Sequence, residues 1–401
     1  MMTDNPIRKA TAALLPEIIA LRHELHQHPE IRFEEYWTSD RIAQFLQEND
    51  IPFTRGHAGG TGIVADIEGE KPSEQKVVAL RADMDALEIH EETGLPYASR
   101  MPGRMHACGH DGHIACLCGA AKILSNNRHR IRGVVRLIFQ PAEEQAGGGR
   151  RIVEEGALDG VSAAFALHAW PALPVGIAAV GEGPVMAGMD SFHILIIGRG
   201  GHAADPANTV DPILVAAHII TALQSIVSRE LSPWEPAVIA VTRADAGSAT
   251  NVTPERARLE GGFRTLSRRV RDHIIEAIPR MAARIAAGFR AQARFTLHQD
   301  GYPPLCNDPA MASFARTIIA DCFGKESLVT LQHPIMASED FAFYLQKVPG
   351  AYIFLGNTDT ENSNPCSLHH PRFDFNDAAF PLAVELLAML AIRYLSNNDV
   401  A

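Results

Sequence analysis

Apolar residues along the chain fall into two rhythms, and the switches between them mark its elements. From Leu14 to His28 they recur at helical spacing and the run stops before Pro29, which predicts a helix. TGIVADIEG (61–69), KVVALRAD (76–83), RGVVRLIFQ (132–140) and AAFALHA (163–169) are short apolar runs that read as buried strands. Between them the pattern predicts a helix over about 112–124, then a Gly-rich turn and a helix toward Glu155. The last element is a long helix over 377–396, strongly apolar on one side. Strands alternating with helices predict an α/β sheet with helices on both faces.

From about Met189 to Phe295 the order changes. The strand SFHILIIG leads to a helix over Val210–Ser228, the strands AVIAVTRA and ARLEGGFR, a helix over Arg268–Gly288 and a final strand. That β-α-β-β-α-β order is the split-βαβ, ferredoxin-like unit. It begins and ends beside GEGPVMAGM and DGYPPLCNDP, loops rich in Gly and Pro. The expected organisation is a discontinuous domain, 1–187 and 297–401, carrying an inserted domain over 188–296.

A length of 401 residues fits two domains, since it exceeds what one core usually serves. The net charge of -11 argues against nucleic acid or an anionic membrane as partner, because both want clustered Lys and Arg. Arg268, Arg269 and Arg271 look like the solvated face of a helix. No apolar run reaches transmembrane length and MMTDNPIRKA lacks a signal-type stretch, so a soluble, cytoplasmic protein is expected. The six cysteines then read as free thiols or metal ligands and not as a disulfide framework.

The densest chemistry lies in Met105–His113, where Cys108 and His110 flank one glycine. Thiolate and imidazole suit zinc and its neighbours, and a small residue between two ligands lets both converge from a loop. The plainer reading is a polar helix start with Asp111 capping the first amides. His106 and His113 stay open between supporting and structural roles. Four further signals fall at predicted strand ends or adjoining loops: Glu143-Glu144 after Gln140-Pro141, His168, His369-His370, and Asp83-Met84-Asp85. Strand ends of an open α/β sheet are where ligands bind. Paired acids can divide labour, one holding metal while the other moves a proton. An exposed acidic turn and a lone structural histidine are the plainer alternatives. Convergence favours metal, and the donors exceed the four that one tetrahedral ion takes, which points to two ions. Two lookalikes fail: His23-Glu24 is followed by Gln27 where the zinc-protease pattern needs His, and Gly198-Arg199-Gly200-Gly201 lacks the third glycine at Ala203.

Together, LRHELHQHPE, LRADMDALEI, TGLPYAS, MHACGHDGH, FQPAEE, LHAWP, GRGGHAADP, NVTPE, FRTLS, MASEDFAFY, PGAYIFLGN and LHHPRFDFND resemble the metal-dependent aminoacylase and carboxypeptidase family. The closer likeness is to its hippurate hydrolase and auxin-conjugate hydrolase branch. The resemblance implies a di-metal peptidase-like domain with an inserted lid and dimerisation domain. It implies Cys108, His110, Glu144, His168 and His369 as ligands of two divalent ions, whether zinc, manganese, cobalt or nickel. Glu143 would be the general base, and Asp85 the aspartate that holds a ligating imidazole. Asp83 stands where other branches place a ligating histidine. His202 would reach the partner subunit's site in a homodimer or larger homo-oligomer, while Asn251 and Arg264 would hold the substrate carboxylate. Glu88, Ala207 and Gly262 depart from the branch's usual Pro, His and Thr, and the last two bear on specificity. The implied reaction is hydrolysis of the amide bond of N-acyl amino acids. A dipeptidase or aminopeptidase with the same ions is the nearest rival, and a metal-stabilised binding protein the more distant one.

Overall fold

A computed structural model describes residues 6–70, 76–145, 147–298, 301–359 and 366–396. Residues 1–5 of the MMTDNPIRKA stretch and Asp300 of DGYPPLCNDP lie outside the described residues. The chain forms two compact units: Met1–Gly183 with Cys306–His333 and Asp340–Ala401, and Pro184–Leu305 with Pro334–Glu339. The second unit thus runs past 188–296 at both ends and takes in a short later segment.

The first unit is built on a mixed eight-stranded sheet among the described residues. Its spatial order is Phe53–His57, Gly62–Glu68, Val134–Gln140, Val77–Asp83, Val161–Pro174, Gly350–Thr358, Ala178–Ala179 and Leu328–Val329. The four strands from Val134–Gln140 to Gly350–Thr358 run parallel, so their carboxyl ends share one edge. Alternation along each strand divides its side chains between the faces. Val78, Leu80, Phe165, Leu167, Ile353 and Leu355 join one core with residues of helices Pro6–Gln27, His110–Ser125 and Phe380–Ser396. Burying each such side chain stabilises by about 1.5–3 kcal/mol. Arg81 and Gln140 point to the other face, where both reach Asp340 at 2.9 Å, just ahead of helix Ala342–Leu345. That helix packs on Gly148–Glu154, so both faces of the sheet are covered.

The helix expected over 112–124 starts earlier, at His110, which makes a candidate ligand its first residue. Its N-cap is Gly109 at φ 92°, with no side-chain cap, so Asp111 does not cap it. Asp111 is instead buried against Arg22 (2.7 Å) and His26 (2.8 Å). Gly112 is fixed by packing, because a Cβ there would lie 2.2 Å from the Phe375 ring.

In the second unit the strands Ala237–Ala246, Arg256–Thr265, Gly188–Ile197 and Gln292–Leu297 form an antiparallel sheet in that spatial order. Phe192, Ile194, Ile196, Leu259 and Phe263 bury one face against helices Pro212–Ser225 and Arg268–Gly288. Chain order and pairing give the β-α-β-β-α-β arrangement.

Two expectations need correction. Pro212–Glu230 and Asp377–Ser396 are apolar and long enough to cross a membrane by length and composition. Packing accounts for the second, 83% of whose apolar window is buried; the first is only 33% buried, setting Val215, Ile219 and Leu223 into the core of its unit and leaving Ile213 and Leu214 exposed. Arg271 is not on a solvated face either, since Nε and Nη2 each lie 2.7 Å from the carboxylate of buried Asp190.

Candidate metal centre

The parallel register brings Asp83 level with Gln140, and the neighbouring strand carries His168 toward the same edge. Cys108, on the loop before helix His110–Ser125, lies 3.4 Å from His168 Nε2 through its sulfur. Donor atoms of Cys108, His110 and Glu144 lie within 4.8 Å of one another, as do those of Asp83, His110, His113 and His168. His369 Nε2 is 3.1 Å from Glu144 Oε1, and its own amide donates to the Ala107 carbonyl (2.8 Å). All five candidate ligands, Cys108, His110, Glu144, His168 and His369, therefore converge in the first unit.

Hydrogen bonds fix which nitrogen each imidazole presents. Nδ1 of His110 donates to the Asp85 carbonyl and Nδ1 of His168 to the Ala169 carbonyl, both at 2.8 Å. Each Nε2 faces the cluster, and that of His110 has no hydrogen-bond partner among the described residues. Holding a ring through its other nitrogen is how a ligating histidine is oriented. His113 differs: Nδ1 meets Asp83 (2.6 Å) and Nε2 accepts from Ala169 N (2.9 Å), which commits both nitrogens. Its role is to brace Asp83 against the strand that bears His168. His106 is buried near Asp111, His26 and His110, and burial pushes it down to about 4, so it is neutral.

The two acids of the Pro141–Glu144 turn part company. Glu144 joins Cys108 and His110, while Glu143 Oε1 accepts from the Asp340 amide at 3.2 Å. Asp85 grips the turn itself, taking Glu143 N (2.9 Å) and Glu144 N (3.0 Å) on its two oxygens. Its carboxylate thus holds backbone, while its carbonyl, with Oδ1 at 3.4 Å, faces Nδ1 of His110. Ala142 at φ 55° and His369 at φ 63° are both left-handed without being glycine. Such residues cost about 1–3 kcal/mol each and persist where surroundings over-determine them.

Residues 79–393 match the peptidase family M20/M25/M40. The chain belongs to that family. It is 42% identical over 388 residues to the N-acetylcysteine deacetylase of Bacillus subtilis, covering 97% of this chain and 99% of that protein. It is 38% identical over 382 residues to IAA-amino acid hydrolase ILR1-like 4 of Arabidopsis thaliana, covering 94% and 86%. A crystal structure from Bacillus subtilis, described as a dinuclear metal binding peptidase of the M20 family, superposes with a TM-score of 0.83. Its identity is 38%, over 96% of this chain and 99% of that one. This M20 chain is accordingly a metal-dependent amide hydrolase.

The electrostatics of the M20 centre fit a bound cation. Burial, then Glu144, Glu143 and Asp83, push the Cys108 thiol well above its ordinary range. Burial and the neighbouring His113 hold His168 well below its own, so it is neutral. Burial opposes charge on His110, yet Asp83, Asp85 and Glu144 outweigh it and raise that ring to about 10. A thiol facing carboxylates, a neutral imidazole and an unpaired buried nitrogen share one remedy: a divalent ion that takes thiolate, nitrogen and carboxylate together.

The remaining predicted residues belong to the second unit. His202 is exposed in the two-residue strand Gly201–His202, opposite Val252, and the carbonyl of the adjoining Asn251 accepts from the Ala203 amide at 3.0 Å. His202 Nδ1 accepts from the Ala204 amide (3.0 Å), and Asp211, not His202, caps the following helix. Arg264 is half-buried, 3.4 Å from Ser338 Oγ. Sequence reasoning gave no role to Asp340, which binds Arg81, Gln140 and the Gly149 amide (2.7 Å) and offers its own amide to Glu143. Its place within MASEDFAFY was the one signal available.

Proposed function

We propose that this M20 hydrolase cleaves the amide bond of N-acyl amino acids, releasing a carboxylic acid and a free amino acid. What carries the reading is the division of labour on one turn: Glu144 faces the Cys108–His110 cluster, while Glu143 is anchored separately on the Asp340 amide. A merely structural metal site has no use for the second carboxylate. The full-length likeness to a deacetylase and to an amino-acid-conjugate hydrolase supports the substrate class.

Cys108, His110, Glu144, His168 and His369 would hold two divalent ions, drawn from zinc, manganese, cobalt and nickel. Bound there, the ions would polarise the amide carbonyl and acidify water. Glu143 takes a proton from the attacking water and returns it to the leaving amine. Its anchor on Asp340 keeps the carboxylate aimed while it cycles between charge states. Asp85 orients His110 and braces the turn. Arg264, planar and always charged, suits both oxygens of the substrate carboxylate, with Asn251 as a neutral donor beside it. His202, supplied by a second copy in a homodimer, stabilises the developing oxyanion. The enzyme works in the cytoplasm.

A screen of N-acetyl, N-benzoyl and longer N-acyl amino acids against free dipeptides tests this. Turnover of the acylated compounds, lost on esterifying their carboxylate, is expected. Faster turnover of unblocked dipeptides would overturn the assignment in favour of a dipeptidase.

A further inference from the structure

Two adjacent carboxylates can do different work only if the turn between them cannot rotate. Three consecutive amides of that turn are captured by two buried carboxylates. Ala142 N donates to Glu35 Oε1 at 3.0 Å, and Glu143 N and Glu144 N donate to the two oxygens of Asp85. The other Glu35 oxygen is held by Thr61 Oγ1 at 2.8 Å. Glu35 is fully buried at the start of helix Tyr36–Glu48, and among the described residues it has no cationic partner. A buried carboxyl group without a cation is costly, and an apolar side chain would fill the space at less expense. Its hydrogen bond to the site, among the described residues, is to the amide of Ala142, the residue at φ 55°. A Cβ disfavours that backbone region, so an outside hold is needed to keep it there.

We propose that Glu35 is a positioning residue: by capturing the Ala142 amide it locks that residue in its left-handed conformation and so sends Glu143 and Glu144 in different directions. The inference rests on the amide-hydrolase reading for its kinetic consequence, but not for its structural one. Asp85 fixes the second and third amides of the turn, and the Ala142 carbonyl accepts from the Gly148 amide at 3.0 Å, which leaves the amide side of the Ala142 hinge to Glu35. Glycine adopts a positive φ freely, so it should replace the lock where alanine cannot.

The test compares Glu35→Ala, Glu35→Gln and the double variant Glu35→Ala/Ala142→Gly. Glu35→Ala should lower kcat on the order of a hundredfold, as expected for a displaced catalytic group, with KM changed less than about threefold. Glu35→Gln keeps an oxygen acceptor for the Ala142 amide and should retain most of the activity. Adding Ala142→Gly to Glu35→Ala should restore kcat by about tenfold. Hydrogen exchange supplies a readout independent of turnover: the Ala142 amide is slow in the wild type and at least about tenfold faster in Glu35→Ala. A folded Glu35→Ala protein with normal kcat, or one whose loss Ala142→Gly does not relieve, overturns the proposal. If Glu35→Ala does not fold, the wild type and Glu35→Gln decide: fast exchange at the Ala142 amide in the wild type overturns the proposal, and slow exchange that persists in Glu35→Gln, which keeps the oxygen acceptor, supports it. Absence of any N-acyl amino acid hydrolysis by the wild type would remove the functional reading while leaving the exchange result to decide on Glu35.

Discussion

The residues proposed for the site live under opposite conditions in the two units. In the first, Cys108, His110 and His168 are buried, and both imidazoles are oriented by backbone carbonyls before any ion arrives. In the second, His202 and Asn251 are exposed, and the His202 ring accepts from an amide two residues on. A metal centre must be assembled in advance, because desolvating several ligands separately for each ion would weaken binding. Recognition groups can wait in water until what they recognise is present. The contrast explains why one chain can display a finished donor cluster and still show no finished substrate pocket around His202.

The sharpest blow to this contrast falls on Glu143. Glu143→Gln should keep its metal and lose about a hundredfold to ten-thousandfold in turnover, by steady-state kinetics beside elemental analysis. Glu144→Ala should lose metal as well, and a Glu144→Ala protein with full metal content would place the ligand elsewhere. Next comes the exposed histidine. His202→Ala alone should cost a factor corresponding to ~3–4 kcal/mol, the usual worth of an oxyanion donor. Co-expressed with Glu143→Gln, it should form heterodimers with up to about half the wild-type activity, one composite site being intact. Inactive heterodimers of folded, metal-loaded chains would confine His202 to its own subunit. Chelation ranks third: removing an ion held at a hundred times its Kd should destabilise by about 2.7 kcal/mol. Hydrogen exchange should register that loss around Cys108 and His110 and not in the strands beside His202.

The smallest effect concerns pH. Burial opposes protonation of His26, but Asp111 and Glu91 outweigh it and raise the ring to about 9. A histidine raised in the folded state contributes stability that is complete below about 6.5, its unfolded value, and is lost as pH climbs through about 9. The melting temperature of the wild type, less that of His26→Gln, should therefore shrink across that window. A constant difference would show that His26 does not titrate there.

Strand ends were the legible part of the site. Asp83 and Gln140 end their strands as the apolar runs suggested, because side-chain type and period both appear in the letters, whereas His168, expected at a strand end, lies within Val161–Pro174. Helices Tyr36–Glu48 and Pro309–Phe323 were missed; the first buries Thr38 and Ser39 beside Ile42 and Leu46, which blurs its apolar stripe. The grip of Asp85 and Glu35 on successive amides was invisible for a different reason. A backbone N–H is the same at every residue but proline, so nothing in a sequence marks which one a distant carboxylate will take. Asp83 and His113 were each noticed, but their pairing depends on a fold that closes a gap of 30 residues.

Strand Val161–Pro174 has Gly350–Thr358 as its parallel neighbour, with Ala164 opposite Gly350. Synthesis from the amino end therefore leaves it with an open edge while the whole second unit is being made. His168 emerges about two hundred residues before His369. At about 5–20 residues per second, that gap lasts roughly 10–40 seconds. Throughout it the nascent chain carries an apolar strand paired on one edge only, the other open to other chains, and a thiol whose neighbours are incomplete. Release of a chain broken off before Gly350 would make that exposure permanent, so prematurely terminated products should aggregate or be degraded and not accumulate as inactive enzyme.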